Sequence, residues 1–249
     1  TFSEAMNISS LSYTSSPDPG GWNINWNSAN TVATFTHADF GEEMTYTFQV
    51  TEAEDQSGND MDSVFVLVFT TGDFTSPTIT AITPGNASTS VPVNQDIVIT
   101  FSEEITPSNF TFSVSPSLGN QSVSWNSEHT KVTISHANFA SNTSYTMQVT
   151  GAKDTAGNQL TSGTVPNPWS FTAADIINPY IILWSPANNT HDIGINSEIQ
   201  ITFSEVMDTL SFAFSCSPNP SGWDTTWTSG NRVATISHFT FLEKTEYIF

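Results

Sequence analysis

Three glutamates stand at one place in a recurring run of four residues. Glu4, Glu103 and Glu205 each close a T-F-S-E motif, and Glu104 and Asp208 lie close by. Carboxylates are hard oxygen donors of the kind that Ca²⁺ takes, roughly six to eight oxygens at a time. One motif glutamate per repeat falls far short of that number. The spacing therefore favours a scaffold role, with the side chain bonding loop amides where a strand leaves its sheet. Two loops add to the acidic set: E-D-Q-S-G-N-D with Asp55 and Asn59, and K-D-T-A-G-N-Q with Asp154 and Asn158. They lack the spaced run of carboxylates of an EF-hand loop. An Asp ahead of Gly-Asn between two strands is already explained as a hairpin turn, with Gly58 and Gly157 at positive φ. If the chain takes a metal at all, calcium at Glu103, Asp154 and Asn158 is the candidate, and no other cofactor is implied.

Other residues could do chemistry but are poorly placed for it. His37, His136 and His238 occur once per repeat at the same position, so they do not converge on one site; capping or loop packing suits them better. Trp22 and Trp223 sit beside glycine-containing turns, G-G-W and S-G-W, whereas the matching position between them is Gln121. An indole there could stack on a sugar or meet a neighbour; rim packing is the simpler expectation. Six N-x-(S/T) sequons, at Asn7, Asn86, Asn109, Asn120, Asn142 and Asn188, are possible glycosylation sites. That count is what a sequence rich in Asn, Ser and Thr yields by chance. Cys216 is alone, which removes intrachain disulfides and cysteine-based zinc sites, and it falls where an inward strand position is expected. G-x-S-x-G, H-E-x-x-H and glycine-rich phosphate loops are absent. No catalytic residue is assigned.

The elements that must position these residues are legible from an internal repeat. With Phe2, Phe101 and Phe203 as origins, three segments align without a gap for some forty residues. Pro17, Pro116 and Pro218 match, as do Trp26, Trp125 and Trp227, the three histidines, Phe40, Phe139 and Phe241, and Tyr46, Tyr145 and Tyr247. Within each module the apolar residues alternate. Ile97, Ile99 and Phe101 are interleaved with Val98 and Thr100, and Tyr145, Met147 and Val149 with Thr146 and Gln148. Period-two alternation bounded by turn residues reads as half-buried strands. About seven short strands in roughly a hundred residues predict a Greek-key β-sandwich. The tyrosines follow a polar turn and open a strand, the place of a tyrosine corner.

The middle module carries P-x-(N/G) at Pro84, V-P-V-N at 91–94, T-F-S-E, Y-T-M-Q-V, K-D-T-A-G-N and W-S-F-T. It resembles, over its whole length, the bacterial and archaeal Ig-like domain of surface-layer proteins and large secreted multidomain proteins. The resemblance implies tandem, extracellular, generally non-catalytic Ig-like sandwiches, and supplies no ligand. The expected modules are residues 1–74, without a first strand, 75–174, complete, and 175–249, without a last strand. Either the 249 residues are a window on a longer array or strands are donated between molecules; the first needs less. Pro77 and Pro179 hold the residues before them extended, so the links should be semi-rigid.

Composition narrows the partners. Twenty-four acids against four bases give a net charge of −20. Nucleic acid, which needs clustered Lys and Arg, is disfavoured. Such a surface keeps chains apart and draws cations. No apolar run is long enough to span a bilayer. The function expected is a non-enzymatic structural repeat at the cell surface or envelope, in a surface layer, sheath, fibre or stalk, with neighbouring copies of itself as partners. The rivals are an adhesin holding glycan through Trp22 and Trp223, and a spacer in a large secreted hydrolase.

Overall fold

A computed structural model describes residues 1–249. It is all-β apart from one 3₁₀ turn at Pro107–Asn109. The alternation in sequence becomes alternation in burial. In the middle module β6 spans Ile79–Thr83, β7 Ser88–Val91, β8 Ile97–Phe101, β9 Thr111–Ser115, β10 Ser122–Trp125, β11 Lys131–Ser135, β12 Ser144–Gly151 and β13 Trp169–Ala173. They form two four-stranded sheets, β10-β11-β8-β6 and β7-β13-β12-β9. Ile97, Ile99, Val132 and Ile134 from the first sheet meet Met147, Trp169 and Phe171 from the second. Burying each such side chain contributes about 1.5–3 kcal/mol, before the cost of ordering the chain. The module has eight strands where about seven were expected. The chain turns at Pro84 and Gly85, leaves the first sheet after β6, and pairs parallel with β13 as the short β7.

The first module contains β1 (Ser12–Ser16), β2 (Asn23–Trp26), β3 (Ala33–Thr36), β4 (Thr45–Glu52) and β5 (Phe65–Thr70). These make a three-stranded sheet, β1-β4-β5, and a hairpin, β2-β3. Tyr46, Val50, Ala53 and Met6 are buried in it, while Phe65 to Val68 of β5 stay exposed. The third module has one four-stranded sheet, β14 (Ile181–Ser185), β15 (Ile199–Phe203), β17 (Val233–Ser237) and β16 (Asp224–Thr228), in the order β14-β15-β17-β16. Ile199, Ile201 and Phe203 pack there with Ala234, Ile236 and Phe241. The strands that the flanking modules contain match strands of the middle one, β1 to β5 answering to β9 to β13 and β14 to β17 to β6, β8, β10 and β11, with smaller cores.

Cys216 departs from expectation. Its segment is not a strand, because the only ladder contact nearby is the single bridge Ser217↔Ile248. The thiol is half-buried and donates to the Pro218 carbonyl at 3.5 Å. The first two modules form one compact unit, residues 1–174, and the third forms another, residues 175–249.

Candidate functional site

The K-D-T-A-G-N loop follows β12 and folds back on its own aspartate. Asp154 is only 2% exposed. Its Oδ1 accepts from the Gly157 and Asn158 amides at 2.6 and 2.8 Å, and its Oδ2 accepts from Asn158 Nδ2 at 2.8 Å. Gly157 takes φ +98°, which explains the glycine at that position. The first module repeats the turn: Asp55 Oδ1 accepts from the Ser57 and Asn59 amides and Oδ2 from Asn59 Nδ2. Hydrogen bonds from Asn59, side chain first and then backbone, hold the Asp55 carboxyl below its usual range. Each loop is therefore a self-contained turn, as its sequence suggests.

Asp154 is also part of something larger. Glu103, two residues past the end of β8, and Asp73, in the link after β5, bring their carboxylates to it; oxygens of the three lie within 4.8 Å of one another. Asn158 closes the arrangement by donating to the Asp73 and Thr75 carbonyls at 3.2 and 3.1 Å. The link between the first two modules is thus pinned to the middle module's turn. Burial pushes the Glu103 carboxyl above its usual range, and the charges of Asp154, Asp73, Glu43 and Glu42 push the same way. Three negative groups this close favour either a bound proton or a hard cation. Glu103, Asp154 and Asp73 are the residues that could hold one. Asn158 offers its amide N–H groups to three acceptors here, so it serves as a clamp and not as a ligand.

Glu205 and Asp175, the matching residues of the third module, also stand together. Burial and then the Asp175 charge raise Glu205, one of whose oxygens is buried with no hydrogen-bond partner. Glu4 is exposed at the start of the first module, Glu104 bonds His129 at 3.2 Å, and Asp208 caps a turn at the Leu210 amide. Asp73 was missed in the sequence, although a signal existed: an aspartate stands at the same place in both links, T-T-G-D and T-A-A-D.

The remaining candidates lie apart from this cluster. His136 directs its two ring nitrogens at the Ala137 and Gln95 carbonyls and lies on Phe139; His238 does the same with Phe239, Ser197 and Phe241. His37 meets the Ala38 carbonyl and stacks near Phe40. The hydroxyls of Tyr46, Tyr145 and Tyr247 accept from the backbone amides of Gly41, Ala140 and Leu242, each five residues upstream. Trp22 is half-buried among Tyr13, Phe35, His37 and Phe48, with its indole N–H donated to Asp18. Trp223 packs on Phe214 and His238 with its N–H on Asn219. Asn7, Asn86, Asn109, Asn120, Asn142 and Asn188 are all exposed.

Residues 73–173 match the family model described as the bacterial Ig-like domain. No curated protein matches the chain. Among solved structures, a three-Ig-domain fragment of titin is 13% identical, with 95% of this chain and 80% of that one covered at a TM-score of 0.47. The protocadherin gamma-B4 extracellular domain is 14% identical (94% and 38% covered, TM-score 0.42). The S-layer protein SbsC is 15% identical (65% and 24% covered, TM-score 0.28). The middle module of this chain thus matches the bacterial Ig-like domain over its whole length, and the residues on each side carry the same repeat.

Proposed function

We propose that the chain is a non-enzymatic structural segment of an extracellular cell-surface protein, built into a surface layer, sheath, fibre or stalk. The observation that carries this reading is the pinned link. Repeated sandwiches give length, and Asn158 bonds the carbonyls of Asp73 and Thr75 so that the second module is held by the end of the first. A divalent cation, Ca²⁺ by the chemistry of its donors, binds Asp73, Glu103 and Asp154 and stiffens that link. Three carboxylates leave most of the shell to water, which suits the weak affinities of extracellular calcium modules, roughly 0.1–1 mM. The −20 charge keeps the assembly open to solvent and cations, and the six exposed sequons leave room for glycans.

Immunogold electron microscopy of native cells, with antibody raised against the chain, tests the reading. Regular labelling of an ordered lattice, sheath or filament is the expected result. Label confined to a soluble secreted enzyme fraction would overturn it in favour of a hydrolase spacer.

A further inference from the structure

One strand of the third module is more apolar than its fold requires. Strand β14 occupies the position that β6 holds in the middle module: Ile181 pairs with Phe203 as Ile79 pairs with Phe101, and Leu183 with Thr202 as Ala81 with Thr100. Both are edge strands, bonded on one side only. In β6 the two residues between buried Ile79 and half-buried Ile82 are Thr80 and Ala81, and both are exposed even though that sandwich is complete. In β14 the same two positions are Ile182 and Leu183, 54% and 62% exposed; the next residue, Trp184, matches the core-packed Ile82 and is apolar for that reason. The core therefore does not call for this apolar surface. Thr and Ala satisfy the same backbone and the same register.

The patch is also free of charge. No Asp, Glu, Lys or Arg occurs between Asp175 and Asp192, in a chain that carries 24 acids. Natural edge strands are usually guarded by lysine, proline or inward charge, and an open apolar edge without them is a template for another strand. Like-charged molecules can approach each other closely only where carboxylates are absent. An antiparallel edge contact about a two-fold axis needs no second surface, since it sets each Leu183 against its own equivalent.

We infer that the β14 edge, through Ile182 and Leu183, is a lateral contact with β14 of a second molecule of this chain. The contact extends the four-stranded sheet of each third module into one continuous eight-stranded sheet. A strand pair this short buries less surface than a standard interface, so the dimer is weak alone, with Kd in the range of roughly 10 µM to 1 mM, and gains strength from repetition in an array. This inference names the contact between the like partners of the assembly reading. It can hold in solution even if native microscopy shows no lattice.

Sedimentation equilibrium of the full chain at high protein concentration is the test, run at low and at high salt. The expected result is reversible dimerisation that tightens with salt, because screening relieves the repulsion between two molecules of net charge −20. The double variant Ile182→Thr, Leu183→Ala installs the residues of β6, so the fold tolerates it; it should melt like the parent and dimerise at least tenfold more weakly. In a Cys216→Ser background, Leu183→Cys should oxidise to a disulfide-linked dimer while Thr80→Cys does not. A parent chain that stays monomeric at high salt, or a double variant that dimerises as the parent does, overturns the inference. Both results would mean that something else, or nothing, covers this edge.

Discussion

Replacing Glu103 with glutamine separates the two roles its carboxylate could play. Its oxygens lie within 4.8 Å of carboxylates on Asp73 and Asp154. At that separation two unit charges repel by about 0.9 kcal/mol in a water-like medium and about 3.5 kcal/mol at an effective dielectric of 20. Glu103 and Asp73 are both partly exposed, which places each repulsion nearer the lower figure. Removing two of them should stabilise the metal-free unit of residues 1–174 by about 2 kcal/mol, or roughly 4–8 °C in Tm. The pH dependence has a definite sign. The folded carboxyl of Glu103 is raised above its unfolded value, so its ionisation opposes folding. That penalty is absent below the unfolded value of about 4.3, grows as pH rises through the folded value, and is complete above it. The gain from Glu103→Gln should therefore be full at neutral pH and vanish in acid. Calcium should act the other way: at 10 mM, with a Kd of about 1 mM, it stabilises the parent by about 1.4 kcal/mol and the variant by much less. Scanning calorimetry of the full chain, with and without Ca²⁺ and at two pH values, reads all of this. A variant that melts lower than the parent in chelator would refute the repulsion, and an equal calcium shift in both would remove Glu103 from the site.

Two further outcomes follow from the same unit. Tyr145→Phe leaves the Ala140 amide without the hydroxyl it meets at 3.0 Å, and should cost about 1–2 kcal/mol in a denaturant titration; an unchanged midpoint would show that water replaces the hydroxyl freely. Asn158→Ala removes the donor to the Asp73 and Thr75 carbonyls, so limited proteolysis should cut the 71–78 link several-fold faster while the middle core stays protected. Equal cutting rates in both proteins would show that Asn158 does not hold the link.

The fold was legible because one physical rule repeats. Ile97–Phe101 alternates in sequence and alternates between buried and half-buried in the structure, and a one-residue slip would turn that entire face to solvent. The tyrosine corner was readable for the same reason: a polar turn fixes where Tyr145 enters its strand. Strand β7 was not readable, because Ser88–Val91 has no alternating pattern and is defined by the neighbour it finds on β13. At the candidate site, Glu103 and Asp154 were visible as isolated acids, each with an adequate local explanation. Their meeting depends on which end of β8 faces which end of β12, and on a linker residue, Asp73, that belongs to no strand. For Trp22 the simpler expectation was rim packing. What the sequence could not name is the partners, Tyr13, Phe35 and Phe48, which reach the indole from other strands.

Comparison of the two links sharpens what the cluster requires. Both present an aspartate and a T-F-S-E glutamate, but only Asp73 and Glu103 have a third carboxylate, from the turn at Asp154. Asp175 and Glu205 make an acidic pair, in which Oε1 of Glu205 is buried without a hydrogen-bond partner. Two carboxylates hold a proton more readily than they hold a weakly bound cation, since each lost oxygen ligand must be replaced by water. The chain of 249 residues should therefore bind one calcium ion in titration calorimetry, not two. Glu205→Gln should leave that stoichiometry and affinity unchanged, while Asp154→Asn or Asp73→Asn should abolish the heat or weaken binding at least tenfold. Two ions per chain, or a loss of binding in Glu205→Gln, would mean that an aspartate–glutamate pair is sufficient and that the Asp154 turn contributes only its shape.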